Sequence, residues 1–285
     1  IFPVAARELK SAYIAVNKLN REKANEYFSN THIDIPEGYY DILKEFTSIN
    51  TLKALYSRQY ASTIYLISFM PNYRKILKET LGTNQGPLFD YIRFNELYHS
   101  IKDFIPLTAD QEIEIKKLSS PAYTEMLTQT NKETIKKIEL NKRKSGFTIN
   151  EAGEVSNEDL FPSILSKFRG HTLLVDIWAT WCGPCRMANK AIAPMKEELK
   201  EKDIIYLYIT GETSPKGTWE NMISDIHGEH FRVTNEQWNF LMSNLNIEGV
   251  PTYFIIDPEG NITYKKTGFP GVETMKKQLL KTLSK

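Results

Sequence analysis

The chain has 285 residues, and its 36 lysines and arginines nearly balance its 35 aspartates and glutamates, so its formal net charge is only +1. With so little net positive charge, the protein has no strong overall electrostatic attraction for nucleic acid or for an anionic membrane surface. We expect neither as a partner. Hydrophobic residues make up 41% and charged residues 25%, which is ordinary for a globular protein, and the length predicts two domains.

Membrane insertion is not predicted for this sequence. The longest apolar candidate runs from Ile64 to Met70, far short of the roughly 20 residues that a membrane-spanning helix needs. The sequence begins at Ile1 rather than at a methionine, so we expect a processed or truncated product from which any export signal has been removed.

Residues 1–143 predict a mostly helical domain. Apolar residues recur at helical spacing over 5–19, 49–70, 73–81 and 88–104. Thr108 and Gln111 form the pattern of a capping box, which predicts a helix from Ala109 to Leu118. Pro121 then begins a polar connecting helix that is expected to run to about Lys142.

Residue types that usually form catalytic or ligand-binding sites are few in residues 1–143. It contains no cysteine, no glycine-rich phosphate loop and no dense cluster of His, Asp and Glu. Its apolar stripes therefore predict a packed core, with a partner-binding surface as the alternative. We place the domain boundary near residues 144–146, so that the second domain comprises 144–285.

The second domain alternates predicted strands with predicted helices. Strands are expected at 147–149, 173–179, 204–209, 231–233, 252–256 and 262–266. Helices are expected at 159–168, 219–226, 236–245 and 271–283, with one more directly after residue 182, and residues 151–153 resemble a hairpin turn. This order predicts an α/β fold in which helices cover both faces of a mixed sheet.

The stretch Trp181-Cys182-Gly183-Pro184-Cys185 joins a buried strand to a helix. At a helix start, Cys182 lies beside backbone N–H groups without an intrahelical partner, and the helix dipole favours a thiolate there. Gly183 permits close approach of the backbone, and Pro184 suits a first helical turn. Cys185 lies one turn further on, within reach of the first sulfur, so the pair can cycle between dithiol and disulfide.

Two other interpretations of the cysteine pair are weaker. A structural zinc site needs four ligands, and the chain has only two cysteines, although His227 and His230 would complete such a set. A purely structural disulfide is unfavoured, because a four-residue loop constrains little unfolded-chain entropy. No metal and no organic cofactor is therefore expected.

The pattern resembles thioredoxin. The resemblance is carried by the Trp-Cys-Gly-Pro-Cys motif, by Asp176 six residues before Cys182, and by the distant Val250-Pro251-Thr252. The additional elements and the downstream Asp-Pro-Glu-Gly turn are similar to the exported thiol-disulfide oxidoreductases of the TlpA/ResA type. The resemblance covers about the last half of the chain and implies a thioredoxin-like fold there.

The resemblance also implies roles for individual residues. Val250, Pro251 and Thr252 would form a loop with a cis proline that faces the cysteines and binds the substrate chain as an extended strand. Asp176 would be a buried proton acceptor for Cys185, with a raised pKa because burial disfavours its charged form. The alternative for Asp176 is a carboxylate at the end of the strand that water reaches.

Other side chains near the motif are expected to form its surroundings. Trp181 would offer an apolar face for substrate, together with Trp178, while Glu212 and Trp219 would edge the site. His227 and His230 are expected to be solvated loop residues.

The sequence departs from the family in two places. The family's helix proline falls five residues after the second cysteine, but Lys190 is found there, and Pro194 follows nine residues after it. We expect Pro194 to kink this helix. The lysine that faces the strand carboxylate in thioredoxin has no matched position.

The sequence thus predicts an enzyme that reduces protein disulfides by thiol-disulfide exchange, with Cys182 as nucleophile and Cys185 as resolving thiol. The resemblance implies an exported, periplasmic protein, with membrane anchoring through a segment outside this chain as a possibility and a cytoplasmic location as the alternative. It also implies a membrane-bound thiol donor as reductant. The competing hypotheses are an isomerase or oxidant that uses the same cysteines, and a partner-binding module dominated by the helical half.

Overall fold

The computed structural model describes residues 73–153 and 155–284. The helices predicted over 5–19 and 49–70 lie outside the described residues. The chain divides into two compact units, of which one holds the described residues up to Lys102 with Pro106–Lys132, and the other holds Asp103–Ile105 with Glu133–Lys285. Within the described ranges, no helix combines the length and apolar character that crossing a membrane requires.

The described part of the N-terminal half is helical, as predicted. Its helices are α1 (Tyr73–Leu81), α2 (Pro87–Lys102), α3 (Ala109–Glu114, continued by a 3₁₀ turn at Ile115–Lys117) and α4 (Pro121–Asn141). The capping box is confirmed at α3: the Thr108 hydroxyl accepts from the Gln111 backbone N–H, and the Gln111 side chain accepts from the Thr108 N–H. One apolar core joins α2, the 3₁₀ turn after α3 and α4 through Phe94, Leu97, Ile101, Ile115 and Leu127.

The second half alternates strands and helices, close to the predicted bounds. Its strands are β1 (Phe147–Asn150), β2 (Thr172–Ile177), β3 (Ile204–Gly211), β4 (Gly228–Val233), β5 (Thr252–Ile256) and β6 (Ile262–Thr267). Its helices are α5 (Asn157–Ser166), α6 (Gly183–Glu198), α7 (Lys216–Ile223), α8 (Asn235–Asn244) and α9 (Val272–Leu283). Pro194 lies inside α6, which continues through it to Glu198.

These strands form one mixed sheet in the order β1-β4-β3-β2-β5-β6. The first four in that order are parallel to one another, and β5 pairs antiparallel with both β2 and β6. The thioredoxin-like, mixed-sheet architecture predicted for this half is confirmed. The expected hairpin at 151–153 is wrong, because β1 pairs in parallel with β4, about eighty residues later.

Alternation along the central strand assigns its side chains to two cores. Leu173, Val175 and Ile177 of β2 join the core formed with α5 and α8. Leu174 joins the opposite core, which contains residues of α6 and α9. Asp176 follows Leu174 by two positions, so its side chain points toward the face that α6 covers.

The end of α4, from Glu133 onward, belongs to the sheet-containing unit and is held there by polar groups. Asn141 is 4% exposed, and its Nδ2 donates to the backbone and side-chain oxygens of Asn221 at 3.1 and 3.2 Å. Lys144 pairs with Asp225, and Lys137 lies 3.5 Å from the same carboxylate. These contacts bear on the boundary at residue 144, which remains a prediction.

A fragment of residues 144–285 is expected to fold and keep its thiol chemistry, but to be less stable than a fragment of 121–285. The shorter fragment loses the buried Asn141 hydrogen bonds and should lose about 1–3 kcal/mol of unfolding free energy. Denaturant midpoints of both fragments measure this difference. The change Asn141→Ala in the longer fragment is the matched control and should reproduce part of the loss. Equal midpoints would contradict a contribution from α4.

Candidate active site

The two cysteines are joined in a disulfide at the start of α6. Cys182 is the N-cap residue of this helix, and the backbone N–H of Cys185 donates to its Sγ at 3.1 Å. Their Cα atoms are 5.3 Å apart. Pro184 lies in the first turn, where its missing N–H leaves no hydrogen bond unmade. The strand, the turn and the helix predicted around the motif are therefore confirmed.

The disulfide is packed in an apolar cluster. Cys182 is 3% exposed and Cys185 is fully buried. They share the cluster with Trp178, Ala179, Tyr208, Trp219 and Ile223. Trp178 is thus buried against the cysteines on the interior side of the motif. Trp219 is buried in the same cluster, not at an edge of the site as expected.

Trp181 stands apart from this cluster and is 61% exposed. Its indole Nε1 donates to Thr213 Oγ1 at 3.3 Å, in the loop that follows β3. Ser214 of the same loop is fully buried, and its hydroxyl accepts from the backbone N–H of Thr180 at 3.0 Å. Arg232 supports the loop by donating from Nε to the Ser214 carbonyl at 2.8 Å. The loop therefore positions the segment immediately before the cysteines and presents the indole to solvent.

The Val250-Pro251 peptide is cis, as the resemblance implies. Val250 packs against the cluster that contains both cysteines. Pro251 is buried, and its carbonyl accepts from Gly268 N–H at 2.8 Å. The Thr252 hydroxyl donates to the Gly249 carbonyl at 2.7 Å, which ties the two ends of this loop together.

No packing contact within the chain requires a glycine at position 183. A Cβ atom added there would meet no atom within 4 Å. The space beside it is open, and Pro184 next to it is exposed. The front of the motif is therefore accessible to another chain.

Asp176 is 1% exposed, and neither of its carboxylate oxygens has a hydrogen-bond partner. Burial raises the pKa of Asp176 well above its ordinary value, and the positive charge of Lys196 opposes this shift. The predicted burial of Asp176 is confirmed, and the alternative of a carboxylate reached by water at the strand end is wrong.

The sequence offered no lysine near this carboxylate, but the positive charge of Lys196 on α6 acts on it. Lys196 Nζ donates to Tyr208 Oη at 3.1 Å and to the His227 carbonyl, and it lies 4.5 Å from the centroid of the Tyr206 ring. Burial lowers the pKa of Lys196 to about 8, and the charge of Asp176 opposes this decrease. Three turns of helix separate Lys196 from Cys185, so the residue spacing around the motif did not indicate that Lys196 belongs to this region.

The prediction for His230 is wrong, whereas His227 is exposed as expected. His230 belongs to β4, is fully buried and stacks on Tyr208 with ring centroids 4.8 Å apart. Its Nε2 donates to the Ile226 carbonyl at 2.7 Å, and burial lowers its pKa to about 4. Across residues 73–153 and 155–284, no group of three or more His, Cys, Asp and Glu is arranged to hold a metal ion.

One protein-family model matches part of the chain. The Redoxin family model matches residues 144–282, which contain the cysteine pair, Asp176 and the Pro251 loop. These residues are therefore similar to the Redoxin family.

Curated relatives of this part of the chain are named as thiol-disulfide proteins. The chain is 29% identical over 100 residues to the thiol:disulfide interchange protein DsbE of Pseudomonas fluorescens, covering 35% of this chain and 53% of that protein. It is 25% identical over 104 residues to the thiol-disulfide oxidoreductase ResA of Bacillus subtilis, covering 36% and 57%. The chain thus spans just over half the length of these two relatives.

Among solved structures, one similar protein is a putative thiol:disulfide interchange protein DsbE from Chlorobium tepidum. It is 24% identical, with a TM-score of 0.37, and the match covers 42% of this chain and 84% of that one.

Trp181→Ala is expected to weaken binding of a protein substrate while leaving the fold intact. An exposed aromatic side chain beside a reactive thiol can bury a large apolar area on contact, and truncating such a residue costs about 2 kcal/mol at interfaces, or roughly 30-fold in affinity. We therefore expect the KM for insulin to rise, and reaction with a small disulfide to change little. Ile262→Ala is the matched control, because Ile262 is 47% exposed on β6, away from the motif. Equal KM values for wild type and Trp181→Ala would exclude this role.

Proposed function

We propose that the protein is a thiol-disulfide oxidoreductase that reduces protein disulfides by exchange through Cys182 and Cys185. The observation that carries the proposal is the disulfide at the N-terminus of α6, in the same domain as a buried, unpartnered carboxylate on the adjoining strand. The names of the curated relatives support the same class of reaction.

In the reduced enzyme, the Cys182 thiolate attacks a sulfur of the substrate disulfide. A bond forms between Cys182 and that sulfur, and the other substrate sulfur leaves as a thiolate. The N-terminus of α6 favours the attacking thiolate, because its unpaired N–H groups and the helix dipole stabilise negative charge.

Cys185 then resolves the mixed disulfide. It must lose its proton first, since the thiolate rather than the thiol is the nucleophile. We assign Asp176 as the acceptor of this proton, because a carboxyl group with a raised pKa can take and release a proton near neutral pH. The Cys185 thiolate attacks Cys182 and forms the enzyme disulfide, and the substrate leaves reduced by two electrons in total.

Substrate binding is assigned to the open side of the motif. Trp181 offers its indole, Gly183 and Pro184 leave space at the helix start, and the loop of Val250, Pro251 and Thr252 would hold the substrate chain in an extended conformation. The solvent-exposed indole and the open space at Gly183 support this assignment.

We infer that the direction in the cell is reduction. The Gly-Pro pair between the cysteines is that of thioredoxin, whose reduction potential of about −270 mV favours reduction of a substrate. We also propose that the protein works outside the cytoplasm and is recharged by a membrane-bound thiol donor, as the resemblance to exported family members implies.

Two measurements test this function on the intact chain. Insulin reduction in the presence of dithiothreitol should be accelerated, and the reduction potential of the cysteine pair should lie nearer −270 mV than the −120 mV of a strong oxidant. A potential near the oxidant value would favour the isomerase or oxidant hypothesis. Absence of insulin reduction would favour a binding module instead.

A further inference from the structure

Helix α7 has two faces, and one of them packs with the cysteine pair. Trp219 and Ile223 are four residues apart and therefore lie on the same side of the helix. Both are buried, and both belong to the apolar cluster that contains Cys182 and Cys185. This face of α7 is thus part of the packing around the disulfide.

The other face of α7 is held by residues from the first half of the chain. The buried Thr218 donates from its hydroxyl to the Asp103 carbonyl at 2.7 Å. Asn221, three residues later, accepts from Asn141 Nδ2 through its backbone and side-chain oxygens. Asp103 and Asn141 are here named the α7 support. Both precede residue 144, where the match to the Redoxin model begins.

The buried hydrogen bonds of the α7 support outweigh the ion pairs beside it. Asp225, just beyond α7, pairs with Lys144 and Lys137, but its side chain is 51% exposed. Such exposed ion pairs contribute little to stability, because water screens the charges. Thr218 and Asn141 are only 3% and 4% exposed, so loss of either side chain's partner would leave a buried polar group unsatisfied.

The segment that contains Asp103 has an unusual backbone. Phe104 has φ +62°, in the left-handed region that bulky residues rarely adopt, and its ring lies 5.2 Å from Lys137 Nζ of α4. Asp103–Ile105 belong to the compact unit that contains α7, whereas the residues directly before and after them belong to the other unit. The segment is therefore grouped with α7 rather than with the helices that adjoin it in sequence.

We propose that the α7 support positions α7 against the cysteine cluster and thereby keeps external reactants away from Cys185, so that they react at Cys182. The inference rests on the proposed function, in which the two thiols have different roles. A resolving thiol that a second disulfide could reach would form a further mixed disulfide instead of releasing the first substrate. The first half of the chain would thus contribute to the selectivity between the two thiols.

The α7 support acts by opposing local opening of α7. Parts of a folded protein open separately, at a lower free energy than global unfolding requires. Removing one buried hydrogen bond should make such an opening about tenfold more populated. Cys185 would then gain access to solvent and would ionise more readily, since burial disfavours a thiolate. Both effects accelerate its reaction with an external reagent.

The test is the rate at which iodoacetamide alkylates Cys185 in the reduced full chain carrying Cys182→Ser, where Cys185 is the only thiol. Thr218→Val and Asn141→Ala should each raise this rate about tenfold, because each removes a buried hydrogen bond that holds α7. The two changes lie on opposite sides of the contact, so either one tests the inference if the other prevents folding.

Thr282→Val is the matched control. Thr282 of α9 is 5% exposed, and its hydroxyl forms hydrogen bonds with the Thr263 hydroxyl and the Gln278 carbonyl. Helix α9 contributes Met275 and Leu279 to a different core from the one that contains the cysteines. The control therefore removes a comparable buried hydroxyl away from α7, and it should leave the alkylation rate of Cys185 unchanged.

A second measurement separates selectivity from a general loosening of the domain. In the full chain carrying Cys185→Ser, Thr218→Val should leave the alkylation rate of Cys182 unchanged. The inference would be overturned by an unchanged Cys185 rate in both support variants, by equal acceleration in Thr282→Val, or by equal acceleration of Cys182. Each of these results leaves the proposed function intact. Failure of the wild-type chain to reduce insulin would instead overturn the proposed function.

Discussion

Cys185→Ser is expected to convert the protein into a trap that retains its substrates as mixed disulfides, whereas Cys182→Ser should capture none. Cys182 caps α6 beside unpaired N–H groups, and Cys185 is fully buried one turn inside the helix. Without the resolving thiol, the bond between Cys182 and the substrate persists. Both changes should reduce turnover of insulin by on the order of 10³-fold or more, as removal of a nucleophile does in other enzymes.

Non-reducing electrophoresis and mass spectrometry of the adducts measure this trapping. Alkylation of the reduced wild type at mildly acidic pH provides an independent assignment, because it should label Cys182 before Cys185. Preferential labelling of Cys185, or capture of substrate by Cys182→Ser, would reverse the assigned roles.

Asp176→Asn should slow resolution by about 10²-fold while leaving the first attack nearly unchanged. Asparagine keeps the shape of the side chain but cannot accept the proton of Cys185, and general base catalysis typically contributes a factor of this size. The lifetime of the mixed disulfide across the pH range measures the effect. Asp203→Asn is the control, since Asp203 is an exposed aspartate paired with His171. A variant that resolves as fast as wild type at every pH would show that Asp176 is not the base.

The same change should raise stability, and the gain should depend on pH in a defined direction. Because the pKa of Asp176 is raised in the folded state, the native protein holds a proton that the unfolded chain releases above about pH 4. The contribution of Asp176 to wild-type stability is therefore largest below about pH 4. It falls as the pH rises through the pKa that Asp176 has in the folded protein. The advantage of Asp176→Asn should appear above pH 4 and grow toward neutrality. Lys196 loses its anionic neighbour in the variant, which reduces the gain.

The elements and the redox motif were predictable because their signals are local. The apolar run before Asp176, the Cys-Gly-Pro-Cys turn and the helical spacing after it lie within one short stretch, and each corresponds to the observed structure. The burial of Asp176 followed from the same run. Helix caps such as that of α3 were predictable for the same reason, since the residues that form them are three positions apart.

The pairing of distant strands and the polar layer beneath the cysteines were not predictable from local patterns. His230 was assigned to a loop, but parallel pairing with β3 from Glu229 and with β1 from Gly228 extends β4 back to Gly228. Gly228 has φ +137°, and a Cβ there would lie 2.4 Å from the Tyr206 carbonyl oxygen, so a close approach between strands explains this glycine. Lys196 contacts Tyr208 because α6 packs on the face of the sheet that carries Tyr208. The pairing of distant strands decides which residues lie on that face, so the contact could not be read from local sequence.

A row of buried polar side chains crosses four neighbouring strands, where Tyr253, Asp176, Tyr208 and His230 pair side by side. This row affects how the chain selects one strand register over its alternatives. Side chains alternate between the two faces of a sheet, so a shift of one residue in any of these pairings would turn Asp176, Tyr208, Tyr253 or His230 toward the core of α5 and α8. That core consists of apolar side chains such as Phe231 and Phe254. A slipped strand would therefore bury a charge or an unsatisfied hydroxyl at a cost of several kcal/mol. The proposed proton acceptor Asp176 and its three neighbours thus also penalise misregistered strands during folding.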